Sequence, residues 1–240
     1  MSNPVYKIAV VRAVRIRNIT LRLLQKDLVE LKVPKRTPHK HIQDWIEKNR
    51  QEIIQSINTL TSKSYFVHLE NNQPIQMLDN QYTCLFKYSQ RNKVNIRHNL
   101  IMFEINDTSN LSKLIKKLAK KVLINFVENI SKEIDISFNK LYIKDNVSNW
   151  GSCSSKKNIN LNYKIIFLPK DPAKYIVVHE LCHIVHMNHS PNFWNLVEKF
   201  MPNYKLIRKT LRNKYRNIII QPPQEFINVD KTENIYKIYS

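Results

Sequence analysis

The sequence predicts an α+β protein, and three features carry that prediction. Short alternating runs of apolar and polar residues dominate the first hundred positions. A long amphipathic helical repeat begins near Leu111. A second helix, apolar almost all round, carries two histidines and a glutamate near position 180.

Ile19, Leu21 and Leu23 alternate, as do Val29, Leu31 and Val33, with "LQKD" between them, so residues 10–33 predict a β-hairpin. Pro34 ends its second strand. Thr37 and Pro38 predict an N-cap and a first-turn proline. The helix they open is expected to run to about Ile57, with Ile42, Trp45, Ile46, Ile53 and Ile54 on its buried side. Short strands are expected at 65–69, 82–88, 94–98 and 100–105. The polar run "NDTSN" at 106–110 predicts a boundary. It separates a β-rich region with one helix (1–105) from a second domain (106–218), followed by a tail (219–240) of no assigned role.

Beyond that boundary Leu111, Leu114, Ile115, Leu118, Val122 and Phe126 recur at helical spacing. Lys113, Lys116, Lys117, Lys120 and Lys121 fill the intervening positions and give the helix a basic outer face. Strands are expected at 141–147 and 158–167. Asp171 and Pro172 predict a further N-cap and first-turn proline, opening a helix to about Met187.

Thirty-nine basic residues against nineteen acidic ones give a formal charge of +20. Such a balance suits a polyanionic partner, nucleic acid or nucleotide, but it says nothing about chemistry. Three unclustered cysteines (Cys84, Cys153, Cys182) argue against a disulfide framework and fit a reducing compartment. Arginine interrupts every apolar run near the start, and no run approaches eighteen apolar residues. A cytoplasmic protein with neither a signal peptide nor a membrane span is therefore expected.

The chemistry is concentrated in "HELCHIVHMNH". On a helix, His179 and His183 stand one turn apart on one face, so both imidazoles reach a single ion. Glu180 beside them is placed to take a proton from a metal-bound water. A helix apolar at Tyr175, Ile176, Val177, Val178, Leu181, Cys182, Ile184 and Val185 should be buried, and ionisable groups on a buried helix need a reason. A catalytic zinc requires a third protein ligand and one open position. His186 continues the same straight face, about 10.5 Å along the axis from His179, which suits a tetrahedral site poorly. His189 lies in "NHSP", where Ser190 as N-cap and Pro191 favour a chain reversal that returns it to the ion. His189 is favoured, His186 is expected beside the ligands or at the surface, and Glu198 is the outside candidate.

"WGSC", a strand, and "YIVVHELCHIVHMNHSPNFW" together resemble the YgjP-like family of zincin-type metal-dependent hydrolases, and more distantly the SprT-type metallopeptidases. "VELKVPKRTPHKHIQDWIEKN" and "WGSCSSKKNINLN" resemble that family's amino-terminal and mid-chain motifs. The resemblance implies a zincin-like domain with a mixed sheet edge beside an HExxH helix. It implies Zn2+ at His179, His183 and His189, Glu180 as catalytic base, and substrate contacts at Trp150, Gly151 and Ser152. Two departures stand out: His186 occupies the glycine position of the metzincin pattern, and Asn149 replaces a basic residue frequent before the tryptophan.

Gly151 is the only glycine, where average usage gives about seventeen. In an edge hairpin over 141–167 it is expected where the chain turns near the cleft, supplying either φ > 0 or close approach of another backbone; the equal alternative is a tight turn with no substrate nearby. Three functions follow. The first is a zinc metallopeptidase acting on a peptide or unfolded protein. The second is a nucleoside triphosphate pyrophosphatase, with a UTP-type substrate among those it would take. The third is a nucleic-acid-binding module with a non-catalytic zinc, ranked last because structural sites favour cysteine. One glycine excludes a Gly-rich phosphate loop.

Overall fold

The computed structural model describes residues 5–146, 149–226 and 235–239, containing thirteen strands and six α-helices. The architecture is α+β, as predicted. The chain divides into two compact units, one of residues 1–68, 216–221 and 227–240, the other of residues 69–215 and 222–226.

In the first unit β1 (Val5–Ala13), β2 (Thr20–Leu23), β3 (Leu28–Pro34) and β13 (Ile235–Tyr239) form a sheet in the order β13-β1-β3-β2. The predicted hairpin is β2–β3, with Leu23 opposite Val29. Residues 10–13 belong instead to β1, which runs parallel to β3. Alternation places Ile8 and Val10 of β1 and Val29, Leu31 and Val33 of β3 in a core shared with Ile42, Ile46, Ile53 and Ile57. Each such side chain contributes about 1.5–3 kcal/mol on burial.

The expected single helix is two: α1 (His39–Lys48) and α2 (Arg50–Ser62). Asn49 between them leaves helical geometry at φ −103° and ψ 14°, and its side-chain amide donates at 2.7 Å to the Trp45 carbonyl that also accepts from its main-chain N–H at 3.0 Å. Pro38 is itself the cap residue, one position later than expected. β4 (Ser64–His68) pairs in parallel with β12 (Asn217–Gln221).

The second unit opens with β5 (Gln73–Met77), β6 (Asn80–Tyr88), β7 (Lys93–Arg97) and β8 (Leu100–Ile105), in the order β5-β6-β8-β7. Alternation did not betray β5, whose second residue is Pro74. The polar run at 106–110 is a cap rather than a division between units. The Asp107 carboxylate accepts from the Ser109 amide at 2.7 Å just before α3 (Leu111–Glu133), and the Leu78 amide after β5 donates to the Ile166 carbonyl. Strands β5–β8 thus group with the residues that follow. Helix α3 buries Leu111, Leu114, Ile115 and Leu118 as expected, but in its second half Leu123 and Val127 are buried and the expected Val122 and Phe126 only half-buried.

A second, three-stranded sheet has the order β10-β11-β9, from β9 (Lys140–Lys144), β10 (Gly151–Cys153) and β11 (Asn158–Asn162). The strand expected to reach 167 stops at Asn162. That side chain accepts from the Lys164 amide and starts a 3-10 turn over Tyr163–Phe167. Residue 147 of the expected strand 141–147 lies outside the described residues. Three helices complete the unit: α4 (Lys170–Cys182), α5 (Pro191–Phe200) and α6 (Tyr204–Lys214). No helix among the described residues is long and apolar enough to cross a membrane.

Candidate metal centre

Helix α4 starts at Lys170 with Pro169 as cap, so Asp171 lies in its first turn rather than capping it. Ala173, Val177, Val178, Leu181 and Cys182 have no more than traces of exposed surface, which fixes the helix in the core. The helix ends at Cys182, earlier than the expected Met187. His183 still has helical angles (φ −64°, ψ −20°), so it keeps its place one turn beyond His179. Residues 183–190 then turn, leaving Val185 and Met187 exposed, where a longer buried helix was expected. Pro191 opens α5 with Ser190 at the N-cap position, although the serine side chain makes no capping bond.

This turn delivers His189. The ring nitrogens of His179, His183 and His189 lie within 4.8 Å of one another. Nε2 of His189 is 3.1 Å from Nε2 of His179. The His183 Nδ1 donates to the His186 carbonyl at 3.1 Å, which fixes the ring and leaves Nε2 for an ion. His186 therefore serves the site through its main chain. Glu198 is outside it, exposed and 3.6 Å from Lys205 Nζ.

These side chains fit a divalent metal better than a hydrogen-bonded core cluster. Burial and its histidine neighbours push His179 down to about 3, and burial lowers His183, so both are neutral lone-pair donors. Nε2 of His179 and Nε2 of His189 face each other at 3.1 Å, so the two imidazoles present lone pairs to the same point. Three imidazoles converging in this way form a donor set that suits a divalent metal ion.

Glu180 points toward the three-stranded sheet, and here the single glycine is explained. Seven described residues have positive φ, among them Asn72, Asp79, Asn92 and Asp135, and none is glycine. This chain makes left-handed turns with other residues. Gly151 has no positive φ and lies within β10, opposite Leu161, rather than at a turn. A Cβ at Gly151 would lie 2.7 Å from both Cγ and Oε1 of Glu180. Close approach is thus the reason for the glycine, and the partner is the glutamate side chain. Burial pushes the Glu180 carboxyl up to about 8.

Of the other expected contacts, Trp150 is half-buried and its carbonyl accepts from the Asn162 amide. Ser152 Oγ accepts from Asn160 Nδ2 at 3.1 Å. Because residues 150 and 154 bond to β11, the peptide groups of Gly151 and Cys153 point to the open edge of β10. Burial and Glu180 raise the Cys153 thiol, and burial pushes Cys182 up to about 12, so both remain thiols.

Aromatic rings surround the histidines. Phe193, fully buried, stacks on His183 at 4.5 Å between centroids. Trp194 stacks on His189 at 5.4 Å and on Tyr204 at 5.3 Å, so it is not simply the core residue its helix position suggests. Tyr175 lies 5.8 Å from His179, and its hydroxyl, pushed up to about 12 chiefly by burial, keeps its proton. The spacing of 175, 179 and 183 places all three on one helical face, a signal present in the sequence.

A buried HExxH helix, a third histidine returned by a turn and a glutamate against a strand edge define a metallopeptidase-type centre. The sequence matches the YgjP-like metallopeptidase domain over residues 17–214, and the chain belongs to that family. No curated protein matches it. Among solved structures it is similar to the metallopeptidase zymogen of Pyrococcus abyssi abylysin, with 24% identity over 40% of this chain and 97% of that one and a TM-score of 0.35. It is also similar to the metallopeptidase zymogen of Methanocaldococcus jannaschii jannalysin, with 25% identity over 36% of this chain and 90% of that one and a TM-score of 0.33.

Proposed function

We propose that the protein is a zinc-dependent peptidase in which His179, His183 and His189 hold the ion and Glu180 moves the proton. The observation that carries this reading is the contact of the Glu180 side chain with Gly151, beside three histidine nitrogens that converge within 4.8 Å. Zinc at such a site supplies Lewis acidity and lowers the pKa of water toward neutrality.

Glu180 accepts a proton from the attacking water at its carboxylate and passes it to the leaving amine nitrogen. Burial raises its proton affinity, which favours the second half of that task. A divalent ion held by His179, His183 and His189 would oppose that shift and keep the carboxylate available for the first. The outward peptide groups of Gly151 and Cys153 suit an extended peptide that adds as a further strand along β10. This open edge favours a peptide over a nucleotide. Trp150 and Ser152 flank the same edge as substrate contacts.

The test offers unfolded proteins, peptides and nucleoside triphosphates in parallel to zinc-loaded wild type and Glu180→Gln. Peptide products from wild type, at least about 10²-fold fewer from the variant with zinc retained, are expected. Comparable turnover by the two would sink the role of Glu180, and pyrophosphate release without peptide cleavage would replace the substrate class.

A further inference from the structure

We propose that Arg208 selects substrates carrying a carboxylate close to the cleaved bond, either the chain's free carboxy terminus or an acidic side chain. This rests on the peptidase reading and names the substrate class of the same site.

Arg208 lies on α6 with its guanidinium carbon 4.9 Å from the Trp194 ring centroid. Trp194 in turn stacks on His189, with planes 25° apart, and on Tyr204, with planes 13° apart. The cation is thereby held beside the third histidine by a wall of rings. A guanidinium carries five N–H donors in a planar fork that matches a carboxylate through two hydrogen bonds, and here its carbon sits over the ring that covers His189.

Among the described residues no carboxylate pairs with Arg208. Lys205, about one turn earlier, is by contrast occupied by Glu198 at 3.6 Å. Arg212, one turn later and exposed, extends the same stripe. A cation held one ring away from the third histidine discriminates among substrates through charge complementarity.

The experiment uses the full zinc-loaded chain as wild type, Arg208→Lys, Arg208→Gln and Arg208→Glu, with zinc content measured for each. Matched decapeptides differ only in Glu against Gln next to the cleaved bond, or in a free against an amidated carboxy terminus. A preference in kcat/KM of about five- to tenfold for the carboxylate is expected in wild type, because the side chain is exposed and partly screened. The preference should survive in part in Arg208→Lys, vanish in Arg208→Gln and invert toward lysine-bearing peptides in Arg208→Glu, with zinc content unchanged. The matched pair that responds identifies the source of the carboxylate.

Equal discrimination by all four proteins overturns the proposal, as does a kcat loss in Arg208→Gln and Arg208→Glu uniform over all peptides, the mark of a purely structural stack. If wild type cleaves no peptide, the peptidase reading fails by itself. The affinities of the same peptides for the Glu180→Gln protein, followed by tryptophan fluorescence, then decide the inference on the same criteria. Unchanged peptide discrimination with lost affinity for a single-stranded oligonucleotide assigns the stripe to another polyanion and overturns it.

Discussion

His179 and His189 place their ring nitrogens 3.1 Å apart, yet they are supported in opposite ways. His179 projects from a helix whose neighbouring residues Val177, Val178 and Leu181 are fully buried, so its backbone position is set by the core. His189 sits on an exposed turn and is steadied by Trp194, a ring that itself rests on Tyr204. Two of the proposed ligands are thus fixed by the folding of α4, and the third is held in place by local stacking. A metal centre built in this way separates the ligand that defines the site from the ligand that completes it.

The sharpest way to break that comparison is to remove each histidine in turn. His179→Ala should abolish stoichiometric zinc binding, a larger loss than the about 10–100-fold typical of an outer partner. His189→Ala should leave weak binding by His179 and His183, with activity lost. Equal affinities for the two variants, measured by competition with a chelator, would erase the distinction between helix and turn.

A smaller effect is expected on the opposite wall. Gly151→Ala forces a Cβ into the Glu180 side chain, so the carboxylate or β10 must shift. A misplacement of about 1 Å costs on the order of 10²-fold in turnover, and zinc should stay bound. If zinc and fold are lost together, Gly151 serves the integrity of the sheet and not the position of the base.

The smallest expected effect is in the stability of the metal-free protein. Glu180 titrates near 8 when folded and near 4.5 in its ordinary range, so the folded state holds the extra proton and stability falls as pH rises from 4.5 to 8. His179 titrates near 3 when folded against 6.5, so the unfolded state holds the extra proton and stability rises from pH 3 to 6.5. Glu180 offsets His179 between 4.5 and 6.5, and His183, also lowered by burial, leaves a net rise there with a decline above it. For one proton that decline is at most about 1.4 kcal/mol per pH unit. Urea unfolding across this range checks the shape, and Glu180→Gln should flatten the decline above pH 6.5.

Much of this site was legible because it is local. The i, i+4 spacing of His179 and His183 survives whether the helix ends at Cys182 or Met187, and "NHSP" signals a reversal wherever α5 begins. The amphipathic repeat of α3 was equally plain. What escaped depends on pairs distant in sequence. Gly151 reads as a turn until Glu180, far along the chain, is seen against it. Trp194 reads as core because its helical position cannot reveal that a histidine from the preceding turn covers it. The hairpin at 20–34 is local, whereas the parallel pairing of β1 with β3 joins strands that no tight turn connects. The break at Asn49 was missed because apolar periodicity runs across it, and only the amide bond to Trp45 marks the interruption.

The division of the chain also orders its birth on the ribosome. Residues 69–215, nearly the whole metal-binding unit, are one continuous stretch and can condense once that stretch has emerged. The other unit begins first but must wait, since β4 meets its parallel partner only at 217–221 and β1 gains its second neighbour only with Ile235–Tyr239. Its early strands, Val5–Ala13 among them, spend most of synthesis with an unpaired edge, the condition that favours aggregation and engages chaperones. The arginines and lysines spread through residues 7–40 then act before any partner is met, by making those waiting strands repel one another.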